Sequence, residues 1–382
     1  MNITVKSRDN LVNFNYEEEN FEFNFTLYFS TIKLNNDNIA SIALACRPKE
    51  SKEYCFNFEI SSQLSQFFKS RYAINVISKT DNKSSIEYSK PVDSVPSATF
   101  IAFSGGVDSL ALKLLFGDIF PSISIDYGGK FHREFLNFLS YDTTIIKSDI
   151  RDRKYINYKF NERNWYFGLA PLILLKDNFE PLAIIDGTLM ESSPFWFNAD
   201  HFHGGFKKYI PVLNPNCVTI SPLSCITELQ STKLVYKLAQ EAEFNNALYS
   251  SSEAGSFKRY RKEVWHDLVS GKMPRNKPAN LKKHVFGSAH GQDIITLYLV
   301  YRLGATWALE NFVDSLPPGA DNLDMDFYEK VNANNLNCLD NSFRAIVEEK
   351  MIKAGLNFFN EKNYLDLIKV KDFIGNNNIS SG

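Results

Sequence analysis

A glycine-rich hexapeptide stands between an apolar run and a helical pattern in the first third of the chain. Residues 98–103 read Ala-Thr-Phe-Ile-Ala-Phe, residues 104–109 read Ser-Gly-Gly-Val-Asp-Ser, and apolar side chains then recur at helical spacing up to Gly117. This pattern predicts a buried strand, a tight turn and an amphipathic helix. The first amides of a helix lack partners inside the helix and carry partial positive charge, so such a turn can bind a phosphate.

Strands alternating with helices follow the turn and predict a parallel α/β sheet. The expected strands are 122–125, 144–146 and 182–185, and the expected helices are 107–116, 131–139 (with Phe131, Phe135, Leu136 and Leu139 as its apolar face), 165–176 and 227–243. Beyond about residue 260 the spacing favours helices over 293–310, 343–354 and 364–373. The polar tail, 375–382, is expected to be disordered.

The N-terminal part is expected to form a separate β-rich domain. Residues 21–27 alternate apolar and polar side chains, and apolar residues at 39–44 and 55–60 favour two further strands, with a short helix over 64–73. Two prolines within 90–96 favour a linker. The predicted division is therefore 1–95 for a β-rich domain, 96–260 for the α/β domain and 261–382 for a mostly helical region.

The composition of the chain limits which binding partners and which cellular compartment are expected. The chain has 42 Lys and Arg against 44 Asp and Glu, so its net charge of −2 offers no global argument for nucleic acid or an anionic membrane. Its five cysteines include no CxxC pair, which argues against a tetrathiolate zinc site and a disulfide scaffold. No apolar run could span a bilayer or serve as a signal peptide, so a cytoplasmic protein is expected.

Residues 104–109 in this context resemble the PP-loop of the ATP pyrophosphatase superfamily, although a serine-glycine turn that only caps a helix is the alternative reading. Later residues narrow the resemblance to 7-cyano-7-deazaguanine synthase. Its order and spacing are matched, over about residues 98–255, by Asp126-Tyr127-Gly128, Arg163-Asn164, Asp186-Gly187 and Ser221-Pro222-Leu223.

The resemblance implies a Rossmann-like parallel sheet of the PP-loop (HUP) type and an ATP-dependent ligase that works with Mg²⁺. Such an enzyme adenylates a carboxylate or amide oxygen and releases AMP and pyrophosphate in the course of the reaction. The implied acceptor is a small, nucleobase-like molecule of the 7-deazaguanine type, in a queuosine-like modification pathway or a bacterial defence pathway.

Three departures from the family bear on this reading. Residues 249–255 lack the family's cysteine cluster, so no zinc is expected. The family's acidic substrate loop is altered over 191–196, and the family's lysine after the Pro-Leu segment falls near Glu228. The resemblance therefore says less about the substrate than about the fold or the type of reaction.

The resemblance assigns roles to particular residues. The implied ATP-binding residues are Ser104, Gly105, Gly106, Val107, Asp108, Ser109, Asp126, Tyr127, Gly128, Arg163, Asp186 and Gly187. Asp108 and Arg163 are expected to be catalytic, and Asp108 and Asp186 are expected to bind magnesium. The residues also allow other readings: Asp108 as an acid favoured by the helix dipole, Tyr127 as packing, and Arg163 in a surface ion pair.

Two further clusters leave alternatives open. His201 and His203 could share a metal ion, but a solvated loop is favoured. The basic cluster at 258–262, with Lys207 and Lys208, could bind an RNA backbone or leaving pyrophosphate, although a solvated helix face is the commoner explanation. The rival functions are accordingly a non-catalytic ATP-binding regulatory or scaffold protein, and a tRNA-modifying enzyme that holds RNA or a protein partner through the N-terminal domain or the Lys258 cluster.

Overall fold

A computed structural model of the chain describes residues 1–8, 11–19, 21–28, 35–47, 51–78, 98–151, 169–178, 182–192, 211–214, 217–250 and 252–377. The chain divides into two compact units. Unit 1 comprises Met1–Gly105, Gly117–Ile185 and Lys207–Ile220, and unit 2 comprises Gly106–Phe116, Asp186–Phe206 and Ser221–Gly382. Among the helices of the described residues, none has the length and apolar character needed to cross a membrane.

All the described strands belong to unit 1. They are β1 (Asn2–Arg8), β2 (Leu11–Glu18), β3 (Phe21–Tyr28), β4 (Glu53–Phe56), β5 (Asn75–Ser78), β6 (Ala98–Ala102), β7 (Ser122–Asp126), β8 (Thr144–Ser148), β9 (Leu182–Ile185), β10 (Pro211–Asn214) and β11 (Cys217–Ile220). They form one sheet in the order β10-β11-β9-β6-β7-β8-β3-β2-β1-β4-β5. The expected strands at 122–125, 144–146 and 182–185 are thus confirmed.

The middle of the sheet is parallel and Rossmann-like. Strands β11, β9, β6, β7 and β8 pair in parallel. The chain lays down β7 and β8 on one side of β6 and then returns to place β9 on the other side. In open α/β sheets, ligands bind outside the carboxyl ends of the strands where the order reverses in this way. For this sheet, that point lies between β6 and β9.

The N-terminal strands extend the same sheet. Strand β3 pairs antiparallel with β8, with Leu27 opposite Ser148. Alternate residues of β2 are buried, and Phe14 stacks on Phe25 of β3 with ring centroids 4.5 Å apart. The linker expected at 90–96 lies outside the described residues.

The described α-helices are distributed over both units. They are α1 (Asn36–Ala45), α2 (Ser62–Tyr72), α3 (Val107–Phe116), α4 (Phe135–Ser140), α5 (Glu228–Leu238), α6 (Glu241–Ser250), α7 (Phe257–Val269), α8 (His290–Leu303), α9 (Ala305–Asn311), α10 (Asn341–Lys353) and α11 (Glu361–Asn376). The helices predicted at 64–73, 107–116, 343–354 and 364–373 are confirmed within a few residues. The boundary expected after residue 260 falls inside α7.

The strand predicted at 39–44 is wrong, because these residues lie in α1. Asn35 caps this helix, its side chain accepting from the Asp37 amide at 2.8 Å. Residues 39–45 of the helix are all buried, so a continuous apolar run is compatible with a helix enclosed by unit 1. A short apolar run does not by itself distinguish a buried strand from a buried helix.

The helix predicted at 131–139 also differs from its expected form. It begins as a 3₁₀ helix at Gly129–Glu134 and continues as the short α4. Its expected apolar face is partly reversed, since Leu136 is 62% and Leu139 65% exposed. Asn137 is buried instead, because it bonds to the backbone of the glycine turn.

Three long helical predictions are modified by breaks. Of the helix predicted at 165–176, residues 170–176 belong to a 3₁₀ helix at Ala170–Asn178, and residues 165–168 lie outside the described residues. The pattern at 227–243 forms α5 and α6, because Ala239 is extended and Glu243 caps the Gln240 amide at 2.8 Å. The pattern at 293–310 forms α8 and α9, separated by Gly304 at φ 89°.

The core of unit 2 is aromatic. Trp265, Tyr298 and Tyr328 are fully buried, and the rings of Tyr298 and Tyr328 stack at 4.5 Å. Thr227 caps α5 through a reciprocal bond with Gln230 and also donates to the Tyr328 carbonyl at 2.9 Å. This core fixes the start of α5 next to the side chains described below.

Candidate functional site

The glycine turn is built as the sequence predicts, between β6 and α3. Gly105 has φ 71°, a conformation that L side chains rarely adopt. A Cβ at this position would lie 3.0 Å from the Asn137 Cβ and 3.3 Å from the Glu134 carbonyl oxygen. Asn137 also donates to the Gly105 carbonyl at 2.7 Å. The turn is therefore held in one shape that requires glycine at 105.

The remaining turn residues differ in exposure. Ser104 is exposed, whereas Gly106, Val107 and Ser109 are buried. The Ser109 hydroxyl donates a hydrogen bond to the Gly106 carbonyl at 3.0 Å, within the turn itself. The amides of Val107 and Asp108 follow at the start of α3, a position at which an α-helix provides no intrahelical acceptor. This backbone can present several N–H donors to an anion.

The residues after β7 form a second group in unit 1. Asp126 accepts from the Gly128 amide at 2.9 Å and so closes a local turn. Tyr127 is only 7% exposed and packs against Phe131, and burial raises the pKa of its hydroxyl above the ordinary value. The structure thus shows Tyr127 in the packing role that its sequence also allowed.

Arg151 is a residue in this group that sequence reasoning missed. Its guanidinium lies 3.8 Å from the Phe131 ring centroid and 5.4 Å from that of Tyr127. It also pairs with Glu134 at 3.2 Å, and its side chain is 22% exposed. An arginine five residues after the parallel strand predicted at 144–146 was the signal that could have identified it. Arg163, the cation expected at the site, lies outside the described residues.

Asp186 and Gly187 follow β9 and belong to unit 2. Asp186 Oδ1 accepts from the Thr188 amide at 3.0 Å and from the Ser221 hydroxyl at 2.7 Å. Burial raises the pKa of Asp186 despite these bonds. A Cβ on Gly187 would lie 3.4 Å from the Asp108 backbone, so this glycine allows the two segments to pack closely. The Asp186-Gly187 pair therefore supports the start of α3.

Asp108 is engaged by side chains from two other helices of unit 2. Lys262 of α7 places its Nζ 2.9 Å from Oδ1 and 3.0 Å from Oδ2 of Asp108, and the Ser231 hydroxyl of α5 donates to Oδ1 at 2.9 Å. The Lys262 side chain is 1% exposed and that of Asp108 is 30% exposed. Asp108 is thus a first-turn acid fixed by a buried cation.

Glu228, at the start of α5, joins the same network. It accepts from Arg261 Nη2 at 3.0 Å and from Trp265 Nε1 at 2.9 Å, and it forms an ion pair with Lys262, whose Nζ lies 2.8 Å from Oε1. Burial alone would raise the pKa of Glu228, but the Arg261 and Lys262 charges hold it well below its ordinary value. Glu228 is therefore ionised and acts as the counter-charge that keeps both cations buried.

Glu191 is the third carboxyl of this network. In the sequence it is the first residue of 191–196, the segment in which the family's acidic substrate loop is altered. Its Oε1 accepts from the Glu228 amide at 2.9 Å and from the Tyr328 hydroxyl. Burial and the neighbouring Glu228 charge raise its pKa to about 7. Its Oε2 is buried and has no hydrogen-bond partner among the residues described. No sequence signal distinguished this glutamate from a surface residue.

The basic cluster at 258–262 is not the solvated helix face favoured from the sequence. Tyr260 and Lys262 are buried, and Arg261 is tied to Glu228. Arg259 pairs with Glu263 at 2.8 Å. Lys258 is exposed. These side chains are not solvated because α7 places Arg261 and Lys262 next to Glu228 and Asp108, which are distant in the sequence.

The two expected magnesium ligands do not fit a protein-held magnesium ion. Mg²⁺ prefers free carboxylate oxygens in octahedral geometry. Both Asp108 oxygens are engaged by the Lys262 ammonium, and Asp186 is half-buried, accepts two hydrogen bonds on Oδ1 and has a raised pKa. Across the described parts of the chain, no three His, Cys, Asp or Glu side chains are grouped to share a metal ion. His201, His203, Lys207 and Lys208 lie outside those parts.

Comparison with protein-family models, with curated proteins and with solved structures found no significant match to this chain.

Proposed function

We propose that this chain is an ATP-binding enzyme that adenylates a carboxylate or amide oxygen and releases pyrophosphate, in the manner of a divergent 7-cyano-7-deazaguanine synthase-like protein of the PP-loop superfamily. One observation carries the proposal. The turn at 104–109 follows β6, the strand at which the order of the parallel sheet reverses, and its Gly105 has a conformation that other residues rarely adopt.

The turn supports phosphate binding through its backbone. Amides at the start of α3 can donate to phosphate oxygens, and the helix dipole favours the anion there. Each hydrogen bond to a charged group contributes about 1.5–3 kcal/mol, so a few amides supply a large part of the roughly 8 kcal/mol that micromolar affinity requires. The fixed Gly105 conformation means that little ordering is needed when the nucleotide binds.

The proposed reaction transfers AMP rather than phosphate. With the β- and γ-phosphates on the turn, a substrate oxygen attacks the α-phosphorus, and the bond to the β-phosphate oxygen breaks. Pyrophosphate leaves with the electron pair, and the backbone amides stabilise its charge. The adenylated carbon is then open to ammonia or another amine, which displaces AMP.

A second candidate is a regulatory protein that binds ATP without turnover. The observation that favours it is the engagement of Asp108, since this carboxylate is neutralised by Lys262 and is not free to act on a substrate or a metal ion. An RNA-modifying role through the Lys258 cluster has less support, because Arg261 and Lys262 are committed to buried ion pairs.

Product analysis with α-labelled ATP tests the proposal. We expect AMP and pyrophosphate from the wild-type chain, with loss of both in Ser104→Ala and Asp108→Ala, whereas Ser70→Ala, an exposed serine of α2, serves as a matched control. Formation of ADP and phosphate would refute the adenylation chemistry. Tight ATP binding without any product, in the presence of carboxylate and amide acceptors, would favour the regulatory protein.

A further inference from the structure

Lys258 is the cation in its cluster without a structural role. It is exposed, and within the described residues it takes part in no hydrogen bond or ion pair. Arg261 and Lys262 are balanced by Glu228 and Asp108, so Lys258 contributes an uncompensated positive charge. The remaining carboxyl, Glu191, has a pKa of about 7 and is mostly neutral at pH 6.

The position of Lys258 on α7 is unfavourable for the helix itself. It lies in the first turn, after the Ser256 cap, where a positive charge opposes the helix dipole. Residues four apart lie on one helix face, so Lys258 shares a face with Lys262, whose ammonium contacts Asp108 of the glycine turn. Partial desolvation and the neighbouring Lys262 charge lower the pKa of Lys258, whereas the Asp108 charge raises it, so Asp108 lies within electrostatic range of this ammonium.

We infer that Lys258 binds the β- or γ-phosphate of a nucleoside triphosphate held by the amides of residues 106–109, while Lys262 positions Asp108 beneath it. The inference rests on the proposed function and adds a binding residue to it. The Lys258 ammonium lies one helical turn from Lys262, within electrostatic range of Asp108, and has no hydrogen bond or ion pair among the described residues, so it is available to an anion bound at the start of α3. Because Lys258 has no such partner to lose, its replacement leaves the fold intact.

Calorimetric titration of the full chain at pH 6 with ATP, ADP and AMP tests the inference. In Lys258→Gln we expect ATP affinity to fall roughly 10- to 100-fold, as for one lost charge-assisted hydrogen bond, with AMP affinity and the thermal midpoint unchanged. The matched control is Lys282→Gln, an exposed lysine of unit 2 outside α7, which should bind ATP like the wild type.

The outcomes separate this inference from the proposed function. If Gly105→Ala weakens ATP binding and Lys258→Gln does not, the role of Lys258 is refuted and the turn stands. Equal losses in Lys258→Gln and Lys282→Gln would show a general charge effect and also refute the role of Lys258. A wild-type chain that binds no ATP would refute both.

Discussion

The buried Lys262 offers the sharpest test of how the glycine turn is held. Its ammonium lies 2.8–3.0 Å from three carboxylate oxygens of Asp108 and Glu228, and its side chain is 1% exposed. In Lys262→Met the methylenes that pack inside unit 2 are largely kept, but both carboxylates lose this cation. Breaking a buried ion pair on one side costs about 3–5 kcal/mol. Such a loss would remove a large part of the roughly 5–15 kcal/mol typical of a folded protein.

Urea unfolding at pH 7 measures this loss. We expect Lys262→Met to unfold at clearly lower urea, and Lys282→Met, an exposed lysine without such contacts, to change stability by less than about 0.5 kcal/mol. The variant Asp108→Asn/Lys262→Met should lose less than the sum of its single changes, because the two groups interact directly. A loss in Lys262→Met no larger than that in Lys282→Met would refute the argument that a buried cation fixes Asp108.

Three further predictions concern the turn and its surroundings. Gly105→Ala should destabilise the chain by about 2–4 kcal/mol in urea unfolding, because alanine would have to adopt a left-handed conformation and would overpack against Asn137. It should also weaken ATP binding. An unchanged stability would contradict the conclusion that position 105 requires glycine. Glu191 should make the stability of the wild type fall as pH rises, because its pKa of about 7 in the folded chain exceeds the ordinary 4.5. The stability that protonated Glu191 contributes is fully present below pH 4.5 and is lost as pH rises through 7, which amounts to about 3 kcal/mol. Urea unfolding over this pH range should show the loss in the wild type and not in Glu191→Gln, and parallel pH profiles would refute this. Thr227→Ala should cost about 1–2 kcal/mol, measured as a lower thermal midpoint, because it removes the α5 cap and the bond to Tyr328; an unchanged midpoint would argue against the cap.

Local periodicity predicted much of the sheet and the turn. The alternation at 21–27 and the apolar run at 182–185 became β3 and β9, and the glycines at 105 and 106 marked the passage from strand to helix. These features depend on residues close together in the sequence. The prediction of a strand at 39–44 is wrong because this segment is a helix that is buried on all sides. Burial on all sides removes the alternation of apolar and polar residues that distinguishes a helix from a strand, and only the tertiary structure shows it.

The ion network could not be predicted because its members are distant in the sequence. Asp108 and Lys262 are 154 residues apart, and Glu191 and Tyr328 are 137 residues apart. The residue types at 258–262 predicted a basic helix face, but which side faces the carboxylates depends on the packing of α7 against α5.

A crystal structure of the chain with α,β-methylene-ATP, which cannot release pyrophosphate, shows whether the glycine turn holds the triphosphate. We expect the β- and γ-phosphate oxygens to lie within about 2.7–3.2 Å of backbone nitrogens of residues 105–109, with the α-phosphorus open to a substrate. An analogue bound elsewhere, or a triphosphate at this turn without contacts to those nitrogens, would contradict it.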